Sequence, residues 1–78
     1  MPSLFLPADR VRIVQLEDDD RAVDSSLDPP RLPRLGETGT VLEEVADNVY
    51  LVERSTDDGR VLWVAEFLSS ELELVERQ

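Results

Sequence analysis

VYLVERSTDDGRVLWVAEFLSSELELVE, residues Val49–Glu76, is the stretch whose reading decides the fold. Within it VLWVAEF (Val61–Phe67) puts Val61, Trp63, Ala65 and Phe67 on one face and Leu62 and Val64 on the other, the period of two that defines a strand. VYLVER (Val49–Arg54) reads as a second strand, apolar on both faces. STDDGR joins them, and Asp58-Gly59 is the strongest hairpin signal in the chain, because Gly59 accepts the backbone angles that a tight turn needs. After Phe67, LSSEL (Leu68–Leu72) predicts a single 3₁₀ turn with Ser69 or Ser70 as its cap. ELELVE (Glu71–Glu76) then alternates Leu72 and Leu74 with glutamates, the pattern of a short final strand.

Working back from there, GETGTVLEEV (Gly36–Val45) predicts a turn followed by a strand. Val41, Glu43 and Val45 share one face, Leu42 and Glu44 the other, and ADN (Ala46–Asn48) is the short hairpin loop that follows. Gly36 and Gly39 are structural glycines, and Gly39 is expected to supply a positive φ or a bulge. RVRIVQL (Arg10–Leu16) opens with alternating Arg10, Arg12 and Val11, Ile13 and predicts the first strand, bounded by Pro7 and Asp9. The acidic run EDDD (Glu17–Asp20) ends it. Residues 17–35 carry no sustained period and many turn residues, so they form a long loop with at most a weak helical turn over Arg21–Leu27. The expectation is one all-β domain over residues 1–78, with an N-terminal tail at 1–8. Its architecture is a small five-stranded antiparallel barrel with a long first loop and a 3₁₀ turn before the last strand. Closure would remove the edges on which a thin sheet aggregates.

Composition narrows the function more than it identifies it. The chain has 78 residues and no cysteine or histidine, which removes disulfides, thiolate metal sites and the commonest general base and zinc ligand. A domain of this size hides roughly 60% of its unfolded surface, so its core is thin. Eighteen acidic and eight basic side chains give a net charge of −10, and every basic residue is arginine. That charge repels phosphate backbones and anionic membranes, so no nucleic acid and no membrane is expected as a partner. Only Leu4–Leu6 are consecutively apolar near the N-terminus, short of a signal peptide, and no segment reaches membrane-spanning length; the expected location is the cytoplasm.

No catalytic constellation emerges. Glu43 and Glu44 are adjacent in a strand and point to opposite faces, and Asp57 and Asp58 are turn formers. The acidic loop with Asp18, Asp19 and Asp20 lacks a glycine at the sixth position of a calcium loop. No metal, no cofactor and no enzymatic activity are expected. PPRLPR (Pro29–Arg34) has the Pro-x-x-Pro-Arg spacing of a polyproline ligand, but its prolines serve equally to stiffen a loop, with Arg31 and Arg34 paired to nearby carboxylates such as those of EDDD. Arg31 and Arg34 are candidate partner-binding residues. Trp63 and Tyr50 are either core residues or, if exposed side by side, an interface anchor.

Three stretches, ADRVRIV, GETGTVLEEV and VAEFLSSELELVE, together resemble the SH3-like barrel. Gly36, Gly39 and Val41 are similar to the Gly-x-x-Gly-x-Val element of KOW-type barrels, which often bind RNA or ribosomal protein. The layout also looks like the small SH3-like accessory protein of photosystem I and the variable chain of ferredoxin–thioredoxin reductase, both of which support redox partners without a catalytic group of their own. The loop resembles one in the barrel domain of the nitrile hydratase β subunit. A G-x-x-G-T-V, D-G-R, L-x-x-E-x-L run is similar to short uncharacterised bacterial SH3-like proteins. These resemblances imply a non-enzymatic, monomeric or weakly dimeric protein-binding module or accessory subunit, with its specificity in loop 17–35. Two alternatives stay open. One is an acidic neutraliser, antitoxin- or immunity-like, that uses Asp18, Asp19 and Asp20 to occupy a basic nucleic-acid site. The other is a regulatory domain detached from a larger enzyme.

Overall fold

The structure, a computed structural model, describes residues 4–17, 21–27 and 31–77. They form an all-β, antiparallel sheet of six strands: β1 (Arg10–Ile13), β2 (Val23–Asp24), β3 (Thr38–Ala46), β4 (Val49–Ser55), β5 (Val61–Leu68) and β6 (Leu72–Glu76). A 3₁₀ turn at Ser69–Glu71 separates the last two. Spatial order is β2-β5-β4-β3-β1-β6. The meander β3-β4-β5 is built by two hairpins, and β1 lies between β3 and β6.

Two features depart from the expected five-stranded barrel. The sixth strand is β2, two residues of the long loop that pair with Ala65 and Val64 of β5, where the pattern allows only a weak helical turn. The ladder is also open, with β2 and β6 as its ends. At the corner between β5 and β6 the joint is made by side chains. Arg21, just ahead of β2, donates to the Glu66 carbonyl of β5 (2.8 Å) and to the Glu71 carboxylate of the 3₁₀ turn.

Alternation places the core as expected on β5 and β1; on β4, apolar on both faces, Tyr50 and Val52 turn inward. Trp63, Ala65 and Phe67 are buried with Tyr50, Val52, Val11 and Ile13, and Phe5, Val41 and Leu72 complete the cluster. On β3 it fails beyond Val41. Register shifts between Val41 and Glu43 and between Glu44 and Ala46 break the period, so Glu43 and Val45 do not follow Val41 inward and residues 42–48 are all exposed. Bulges of this kind bend and twist the hairpin away from the core. Its two-residue turn ends at Asn48, whose φ of 60° is one that asparagine tolerates well. On β6 only Leu72 is buried; Leu74, on the same face opposite Val11, is 40% exposed, so the alternation does not carry both leucines inward.

Gly39 lies inside β3, opposite Val11, with no positive φ. A Cβ there would stand 2.7 Å from Val52 Cγ1, 2.9 Å from the Glu53 carbonyl and 3.1 Å from Trp63 Cη2. The glycine is required by close packing under the tryptophan ring, and the expected backbone strain is absent. Gly36 and Gly59 do adopt positive φ, 86° and 89°, in the turn before β3 and in the Thr56–Arg60 hairpin loop. The N-terminal segment is packed as well: Phe5 is buried edge-on against Tyr50, whose hydroxyl accepts the Leu4 N–H at 2.9 Å.

Candidate functional site

Three non-strand segments are fastened to the sheet in the same way, each by a shielded carboxylate that faces an arginine. Asp9, buried, accepts the Leu6 N–H (2.9 Å) and pairs with Arg77 (3.3 Å), which tethers the N-terminal segment to the end of β6. Glu71, 1% exposed, faces Arg21, 9% exposed, through two hydrogen bonds. Its carboxylate also accepts the Glu17 N–H (2.7 Å) and the Leu68 N–H (2.8 Å). The second of these bonds caps the 3₁₀ turn, so neither Ser69 nor Ser70 does, and Ser70 Oγ instead donates to Glu17. The Arg21 guanidinium lies 4.5 Å over the Phe67 ring, a cation–π contact that shields both groups.

Glu37 is the third anchor. It accepts from Arg31, from the Arg34 backbone N–H (2.9 Å) and from Trp63 Nε1 (3.3 Å). Arg54 Nε stands 3.4 Å away, near enough for an ion pair but outside hydrogen-bonding geometry, while its Nη1 donates to the Thr38 carbonyl. Burial alone pushes the Glu71 and Glu37 carboxyls up. The facing arginines and backbone N–H groups outweigh it, and both end below the ordinary glutamate range. Carboxylates so saturated with donors and so weakly basic are braces rather than acid–base groups.

The candidate residues separate accordingly. Arg31 pairs with Glu37 and helps hold the loop; Arg34 is exposed and, among the described residues, engages Glu37 through its backbone. Tyr50 and Trp63 are fully buried, so the exposure that an interface anchor requires is lacking and both are core residues. Asp18, Asp19 and Asp20 lie outside the described residues. Among the described residues no group of His, Cys, Asp and Glu side chains could hold a metal ion, and no helix is long and apolar enough to cross a membrane.

Two surface features remain. On the long loop, Leu32 and Leu35 are each 62% exposed and flank the buried Pro33. The loop beneath them is fixed by the Arg31–Glu37 pair and by the Gly36 N–H to the Ile13 carbonyl (2.8 Å). The other feature is an open cleft of about 430 Å³ beside the Glu71 anchor, lined by Ala22, Val49 and Leu68, by Arg21, Glu66 and Glu71, and by the buried Phe67, whose ring Arg21 covers. Alternation does not single out Arg21, Glu37 or Glu71. The one signal available is Glu71 at the third position of a turn that follows Leu68, the spacing from which a glutamate reaches back to an N-terminal N–H. No family model, curated protein or solved structure matches the chain.

Proposed function

We propose that this chain is a non-enzymatic protein-binding module with an SH3-like architecture, working as an adaptor or as an accessory subunit. The architecture is supported by the order β6-β1-β3-β4-β5, by the long connection after β1 and by the 3₁₀ turn before β6. One observation carries the function: Leu32 and Leu35 are exposed on a loop pinned on both sides of them. Two large aliphatic side chains held in water by a braced backbone lose little entropy when a partner covers them. The partner's surface would be apolar at that point, with Arg34 at the rim.

Leu32→Ser with Leu35→Ser is the test. The doubly substituted protein should keep its melting temperature and lose a partner that wild type captures from native lysate. Retention of every captured protein would overturn the reading. The neutraliser reading has its own observation: among the described residues all arginines except Arg10 and Arg34 sit in ion pairs, so the unpaired surface charge is acidic. On that reading alanine at Asp18, Asp19 and Asp20 abolishes capture, raised salt weakens it steeply, and the leucine changes are silent.

A further inference from the structure

We propose that the cleft beside the Glu71 anchor docks a basic segment of another protein, seating one aliphatic side chain against Val49 and Leu68 and laying a lysine or arginine against Glu66. This deepens the protein-binding reading and rests on it, but it concerns a surface separate from Leu32 and Leu35.

The apolar part of the lining is Ala22, Val49 and Leu68, with Leu68 43% exposed, set beside the charged Arg21, Glu66 and Glu71. A volume of about 430 Å³ accommodates a leucine or methionine side chain together with the stem of a neighbouring residue. The one cation in the wall, Arg21, is held by Glu71 and by the Glu66 carbonyl and stacks on Phe67, so its charge is already balanced. Two carboxylates, Glu66 in the lining and Glu43 beyond it, are not balanced. Among the described residues Glu66 makes no ion pair or side-chain hydrogen bond, and neither does Glu43. The register sets these two in one row across three strands, Glu43–Leu51–Glu66, on the outer face of the sheet, since Tyr50 and Val52 on either side of Leu51 point inward. The surface therefore offers an apolar hollow with an acidic border and a half-buried leucine between two unpaired carboxylates.

That pattern selects the occupant. An anionic partner meets Glu43 and Glu66. A second copy brings another net charge of −10, with most of its arginines paired internally. A neutral apolar segment would fill the hollow but leave both carboxylates partly desolvated without a partner. A segment with one leucine flanked by lysine and arginine satisfies both parts.

The test titrates the isotopically labelled protein with acetyl-Gly-Lys-Arg-Leu-Lys-Arg-Gly-amide and follows backbone amide shifts at two salt concentrations. A control peptide carries serine in place of leucine. The proposal expects shifts centred on Ala22, Val49, Glu66 and Leu68, and affinity about fivefold to tenfold weaker for the serine peptide, the scale of one aliphatic side chain leaving a hollow. It also expects a loss of about threefold or more for Glu43→Gln with Glu66→Gln, both exposed changes that spare the core. Equal binding of the two peptides, or shifts scattered over the acidic surface, means generic charge attraction and overturns the proposal. So does concentration-dependent shifting of the same amides without peptide, which marks self-association. The peptide measurement needs no native partner. A silent cleft with capture still dependent on Leu32 and Leu35 would sink this proposal alone; loss of both would sink the module reading with it.

Discussion

The two ends of the β4–β5 ladder are held by the same pair of residue types in different surroundings. At the Val49–Leu68 end, Glu71 is 1% exposed, and its carboxylate is filled by Arg21 and two backbone N–H groups. At the Arg54–Trp63 end, Glu37 is 13% exposed and faces two arginines, and the buried Arg31 Nη1 and Arg54 Nε have no hydrogen-bond partner among the described residues. Out of water, an ion pair matters chiefly through what its removal leaves behind. At the first end, loss of one member strands the other in a dry corner. At the second, water reaches the survivor. The first end is therefore rigid and all-or-none, and the second is adjustable, with the loop that carries Leu32 and Leu35 on its adjustable side.

Glu71→Gln should produce the largest effect, a loss of about 3–5 kcal/mol, because the buried Arg21 guanidinium loses the carboxylate that faces it. Glu37→Gln should lose only about 1–2 kcal/mol. Chemical denaturation of both variants would measure the difference, and equal losses would break the contrast. Acid sharpens it. Both carboxyls titrate below the unfolded value, so the unfolded chain takes up the proton first as pH falls. Their contribution is present in full above about pH 5 and is lost as pH drops through the folded values. The gap between wild type and Glu71→Gln should accordingly be widest near neutrality and close in acid.

Gly39→Val ranks next. Its Cβ would meet Val52 and Trp63, and the two added methyl groups have no room, so the expected loss is about 2–3 kcal/mol, typical of overpacking. Gly36→Val, where nothing lies within 4 Å and only the positive φ resists, should cost about 1–2 kcal/mol. The ranking matches the one that backbone strain at Gly39 would give, but the cause differs and can be separated experimentally. Trp63→Phe should recover part of the Gly39→Val loss and none of the Gly36→Val loss; recovery of both, or neither, rejects packing as the cause.

The smallest effect extends the comparison to Asp9. Ala8 has a φ of 76° in the Leu6–Asp9 turn, an angle glycine adopts freely. Ala8→Gly should raise the unfolding free energy by about 0.5–1 kcal/mol, read from the melting temperature. A drop would mean that the turn is held by something other than the Asp9 brace.

Where side chains alternate against one core, the fold is legible in the sequence: Trp63, Ala65 and Phe67 on β5, Val11 and Ile13 on β1, and the Asp58-Gly59 turn. Legibility stops where periodicity does. Two residues of β2 are too few to show a period, and the bulges in β3 reset it between Val41 and Ala46. Phe5 is a lone aromatic in a stretch without pattern, and its partner Tyr50 is remote in sequence. The braces are hidden for another reason. A glutamate in an alternating or turn segment reads as solvent-facing, and only the three-dimensional arrival of Arg21 or Arg31 turns Glu71 or Glu37 inward. The candidate surfaces are partly legible: the proline-rich rim reads as a contact, but through Arg31 and Arg34, whereas its exposed apolar groups are Leu32 and Leu35.

β1 lies between β3 and β6, and Arg77 donates to the Leu4 carbonyl at 3.0 Å. Residues near the two ends of the chain thus meet, and the last contacts to form close a ring of almost the whole polypeptide. The hairpins of β3-β4-β5 are local and need only short loops to close, whereas β1 pairs with β3 across the long loop and with β6 from nearly opposite ends of the sequence. This topology predicts that the meander forms first and the β1–β6 seam late, an order that pulsed hydrogen-exchange labelling would test.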